Sequence, residues 1–133
     1  MPRVSDEVAA LKLYEFVRDE RSRMVEAVKR IDSLFQGEEI SGTNFNKEFA
    51  DFLGHLGNIK GHMTELNQAK ADSDVTMIRL YRKTGLSILS KEEIRWRLDH
   101  ILTLPIDTKS KLWKKISAQV MSHGFGAGAS VER

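Results

Sequence analysis

Cysteine is absent from the 133 residues, so no disulfide staples the fold and no thiolate serves as nucleophile or metal ligand. That composition suits a reducing compartment, and a cytoplasmic, intracellular location is the expectation. Proline is almost as scarce. Pro2 and Pro105 are the only two, which leaves room for long helices between them. No run approaches the roughly 18 apolar residues of a membrane span, and Met1-Pro2-Arg3-Val4-Ser5-Asp6-Glu7 lacks the apolar core of a signal peptide. A soluble chain with no membrane partner is expected. Catalytic signatures are missing too: there is no Gly-rich phosphate loop after a strand pattern, no nucleophile elbow, no HExxH and no CxxC. These absences point to a non-enzyme with no cofactor.

What the chain does contain is periodicity. Phe45, Phe49, Phe52, Leu56, Ile59, Met63 and Leu66 alternate steps of four and three, the spacing that keeps one seam of a coiled-coil-like helix on its partner. Tyr14, Val17, Arg21, Met24, Val28, Ile31 and Phe35 do the same, with Arg21 as the polar intruder. Laid antiparallel, Phe35 faces Phe45 and Tyr14 faces Leu66, giving seven layers without a slip. Gly37–Gly42 supplies a short polar connection of the right length. The stem of Arg21 is expected to snorkel to water.

The expected fold is therefore all-α: a long antiparallel helical hairpin, about 6–36 and 44–84, followed by shorter helices at about 91–103 and 108–122. Ser5 before Asp6 and Glu7 caps the first helix, and Thr43 or Asn44 the second, which stops at Thr84-Gly85. A break at Asp72-Ser73-Asp74 is the alternative to one continuous second helix. Ser90 with Glu93 reads as a capping box opening the third helix, whose core face is Ile94, Leu98, Ile101 and Leu102, and Leu104-Pro105 ends it. The fourth turns Leu112, Ile116 and Val120 inward. Residues 124–133 form a Gly/Ala-rich tail.

Charge divides the chain. Residues 1–74 hold 10 Lys/Arg against 14 Asp/Glu, whereas residues 75–123 hold 10 against 4. The expected organisation is a helical-hairpin oligomerisation arm (1–74) and a basic helical lobe (75–123). In the lobe, Arg79, Arg82, Lys83, Lys91, Arg95, Arg97, Lys111, Lys114 and Lys115 are candidate phosphate contacts. Trp96, two residues from both Ile94 and Leu98, points outward and is placed to stack on a base.

On the arm, Gly54, Gly57 and Gly61 lie on one face of a helix where each costs roughly 1 kcal/mol relative to alanine. Close approach of another helix would compensate. Together with Phe45, Phe49, Phe52 and Leu53 they form the candidate interface of a homodimer. Asp51, His55, Asn58, His62 and Glu65 line a polar flank, but His55 and His62 stand about 10.5 Å apart along the axis, too far for one ion. No metal is expected there.

Two functions suit this pattern. The first is a non-catalytic protein that oligomerises through its hairpin and binds nucleic-acid backbone through its basic lobe. The second is a protein–protein adaptor, chaperone or structural assembly subunit with no nucleic-acid role.

Overall fold

In a computed structural model, which describes residues 4–37 and 42–107, the chain forms α1 (Val4–Gln36), α2 (Gly42–Lys60), α3 (Glu65–Lys83) and α4 (Ile88–Leu102), with no strand among the described residues. The all-α class is as the periodicity requires. The fourth expected helix, 108–122, and the tail lie outside the described residues.

The α1–α2 hairpin packs through the two seams. Val17, Met24, Val28 and Ile31 of α1 are buried with Phe45, Phe49, Phe52, Leu56 and Ile59 of α2 and Met63 just beyond it. Phe35 stacks on Phe45 at 6.0 Å between ring centroids, and Phe45, Phe49 and Phe52 follow at 5.7 and 6.4 Å, so aromatic contact runs the length of α2's first turns. The outermost expected layer does not form. Tyr14 and Leu66 are 64% and 65% exposed, and Leu13 takes the buried place.

That difference follows from a larger one. The second long helix is not continuous from 44 to 84; it stops at Lys60, and a new helix starts at Glu65. Hydrogen bonds from His62 N–H to the Ile59 carbonyl and from Met63 N–H to the Lys60 carbonyl tighten the last turn in 3₁₀ fashion. Thr64 is extended (φ −62°, ψ 159°) and its hydroxyl accepts from Asn67 N–H, capping α3. The Asp72–Asp74 segment expected as the alternative break is helical. Lys60 pairs with Asp72 across the reversal, a contact that about 18 Å of continuous helix would forbid.

α3 therefore returns along the body instead of continuing the axis of α2. It ends at Thr84, followed by Gly85 with φ +98°, a conformation natural to glycine. α4 starts three residues earlier than the capping box implies, because Ser87 accepts from Ser90 N–H while its carbonyl accepts from Lys91 N–H. Ile94, Leu98 and Ile101 are buried as expected. α4 packs against both α3 and α1. Lys91 Nζ donates to the Phe35 carbonyl, Arg95 pairs with Asp32, and Arg21 donates to the Leu104 carbonyl, so α4 runs antiparallel to α1. Arg21 thus reaches a backbone carbonyl instead of snorkelling, and burial lowers its pKa from the ordinary value. The 74/75 boundary falls inside α3.

Candidate interaction surfaces

The cations expected to meet phosphate fall into three groups. Arg79 and Lys83 stand exposed on the last turns of α3, and Arg82 beside them is half-buried. Three others are engaged within the chain. Lys91 caps the Phe35 carbonyl; Arg95 bridges Asp32 and Asp99; Arg97 holds Asp74 at 2.9 Å, which raises the arginine's pKa. Lys111, Lys114 and Lys115 lie outside the described residues. Trp96 is 54% exposed, with its ring stacked on His100 (5.5 Å, 1°) and Arg97 4.8 Å from its centroid. The engaged arginines each face an acid distant in sequence, which composition alone does not pair.

Asp74 is the residue that sequence reading missed. It is 1% exposed and accepts from Arg97, with His100 Nδ1 2.5 Å from its other oxygen. A signal existed: Ala71, Asp74, Val75 and Ile78 share the α3 core face, and Arg97 and His100 are spaced three apart on α4.

The expected interface set divides as well. Phe45, Phe49 and Phe52 are buried in the chain's own hairpin, so they do not form an outer contact; Leu53 is partly buried against the same core. Gly54 and Gly57 are exposed, with nothing within 4 Å of a Cβ built on either, and Gly61 sits in the reversal. Among the described residues no helix packs closely on Gly54 or Gly57. With the space open, Gly54→Ala and Gly57→Ala are each expected to stabilise the helix by about 1 kcal/mol, read as a higher urea midpoint. A loss of stability would reveal an unseen neighbour on that face.

The polar flank is held by local partners. His55 Nδ1 lies 2.5 Å from Glu20, Asn58 donates to the same carboxylate, and Asp51 accepts from Arg30 at 2.7 Å. No cluster of three candidate metal ligands occurs among the described residues. His62 points inward: it is 4% exposed, edge-on to Phe16, and its Nδ1 has no hydrogen-bond partner among the described residues. Burial lowers its pKa below the ordinary 6.5, so the unfolded chain binds a proton that the folded chain resists. Its contribution to stability is complete above about pH 6.5 and diminishes as pH falls through that value toward the lower folded pKa, by at most about 1.4 kcal/mol per unit. His62→Gln is expected to reduce the stability difference between about pH 7 and 5 in urea titrations; an unchanged difference would show that His62 does not carry it.

Large apolar side chains remain uncovered at several places, Leu66 at the start of α3 among them. Along α1, Leu11, Tyr14 and Val25 are exposed, and a groove of about 780 Å³ runs beside Leu13, Tyr14, Val17, Val25 and Ile106. At the α3–α4 corner Leu80, Ile88 and Leu89 are exposed, the last two at 76% and 69%. Among the described residues no helix is long and apolar enough to cross a membrane.

No protein-family model, curated protein or solved structure matches the chain.

Proposed function

We propose that this protein is a non-catalytic helical assembly subunit, working inside the cell through contacts between protein surfaces and associating with copies of itself. The observation that carries this reading is the exposure of large aliphatic and aromatic side chains on the described helices: Leu11, Tyr14 and Val25 on α1, Leu66 at the start of α3, and Leu80, Ile88 and Leu89 at the α3–α4 corner. Exposed apolar side chains that adjoin, as Leu11 and Tyr14 do three residues apart on α1, support an interaction surface. The engagement of Arg95 and Arg97 by acids of the same chain favours this reading over a lobe devoted to phosphate.

Sedimentation velocity tests it. The apparent mass is expected to rise above the monomer between about 1 and 200 µM, the range in which micromolar self-association shows. A monomer throughout contradicts self-association.

Nucleic-acid backbone binding is the second reading, favoured by one feature. Residues 75–91 contain no Asp or Glu, and Arg79 and Lys83 stand exposed there, on the same α3–α4 lobe as Trp96. Anisotropy of labelled DNA and RNA at about 50 and 200 mM salt decides it, since six phosphate contacts would weaken on the order of a thousandfold between those conditions. Absence of binding at the lower salt eliminates it.

A further inference from the structure

We infer that residues 108–122 seat an apolar stripe in the groove on α1 of their own chain. This goes beyond the self-association proposed above and does not depend on it. Tyr14 and Val25 line the groove, whereas Leu11, Leu66 and the α3–α4 corner do not and stay open to other contacts.

The chain arrives at the groove unaided. Arg21, near the middle of α1, donates to the Leu104 carbonyl, Ile106 lines the groove, and Asp107 N–H donates to the His62 carbonyl at 2.7 Å. The end of the described residues is therefore fixed beside the apolar lining, and residue 108 sets out from there. Val25 lies one turn from Arg21, about 6 Å along the axis, and Tyr14 two turns the other way, about 10.5 Å. The five steps from Asp107 to Leu112 span up to about 17 Å when extended, so the segment reaches either wall.

The sequence supplies an occupant of matching form. On the helix expected over 108–122, Leu112, Trp113, Ile116 and Val120 fall within about 100° of the circumference, the width of a stripe that faces a core. Lys111, Lys114 and Lys115 fall outside it. From Leu112 to Val120 the stripe runs about 12 Å, within the roughly 18 Å of apolar lining from Leu13 to Val25. The cations beside the groove have partners of their own: Arg18 meets Asp19, Lys29 meets Glu26, and Arg21 holds the Leu104 carbonyl. A lysine-bearing segment thus enters by its apolar side and keeps its charges in water.

The tether decides whose segment enters. A short connection holds the chain's own stripe at roughly millimolar effective concentration, well above that of a second copy in micromolar protein.

Trp113 reports the seat. Trp96→Phe leaves it as the one tryptophan of the chain. In that full-length protein, Trp113 emission is expected to be blue-shifted, and its quenching by acrylamide several-fold weaker, than in the same protein unfolded in urea. Both should hold at every concentration between about 1 and 200 µM. Adding Tyr14→Asp/Val25→Asp, at two exposed positions of the groove wall, should return emission and quenching toward the unfolded values while cooperative urea unfolding is retained. Leu112→Asp/Ile116→Asp, on the segment's side, should do the same, and it decides the matter if the groove variant fails to fold. A Trp113 that is as accessible in the folded parent as in urea overturns the inference, and so does shielding that survives these substitutions. Shielding that appears only as concentration rises gives the groove to another copy's segment; the inference then fails while self-association stands.

Discussion

Phe52→Ala is expected to lower the unfolding free energy by about 4 kcal/mol, within the range for removing a buried phenylalanine. Phe52 has no exposed surface, Phe49 stacks on it at 6.4 Å, and Val28, its partner in the antiparallel register, is buried in the same core. Neither neighbour can fill the space without abandoning its own contacts, so most of the cavity persists. Urea denaturation measures the loss as a lower midpoint at an unchanged slope. Leu53→Ala, one residue away but only partly buried, is the control and should cost much less. Equal effects at the two positions would mean that the aromatic seam does not lie between α1 and α2.

The second large effect is expected at Asp74. Asp74→Ala should destabilise the protein by about 2 kcal/mol, because Arg97 and His100 both lose the charged acceptor they face. Breaking one side of a buried pair costs more than the pair contributes, so the penalty should shrink when Arg97 is changed to methionine as well. The measurement is a double-mutant cycle of urea midpoints. Additive effects would show that the carboxylate and guanidinium are not coupled. Little salt dependence is expected, since the carboxylate is shielded from solvent.

The hairpin was legible because packing decides it. A seam repeated at three- and four-residue steps on both strands of the pair leaves one register that buries every layer, and Val17/Met63 through Phe35/Phe45 adopt it. Gly85 and Pro105 were legible for a different reason: one takes the positive φ that ends α3, and the other cannot continue α4. The reversal at Gly61–Thr64 was not legible from periodicity. Met63, Leu66 and Met77 keep the apolar phase through it, and phase records which face is apolar without recording the direction of the axis. Gly61 and Thr64 carried the signal, but Gly61 also fits the small-residue stripe with Gly54 and Gly57. The start of α4 was ambiguous because Ser87 and Ser90 are both capping residues; Ser87 takes the role, and its hydroxyl contacts that of Ser90 at 3.2 Å.

For the candidate sites, exposure was easier to read than engagement. Trp96 is outward, as its spacing from Ile94 and Leu98 implies. That Arg95 meets Asp32 and Arg97 meets Asp74 depends on how α4 lies against α1 and α3, which follows from the reversal. The same reversal brings the start of α4, with Ile88 and Leu89, to the C-terminal end of α1.

The fold-back is therefore the feature to measure most directly. The absence of native cysteine allows spin labels at Lys47→Cys and Arg79→Cys, both exposed positions, without competing thiols. Lys47 lies between the Phe45 and Phe49 layers of α2, and Arg79 lies within a turn of Tyr81, which donates to Glu93 on α4. Three side-by-side helix contacts, α2 on α1, α1 on α4 and α4 on α3, separate them, so pulsed dipolar spectroscopy should give a distance within about 30 Å. A distance near 48 Å, the length of 32 residues of unbroken helix, would contradict the fold.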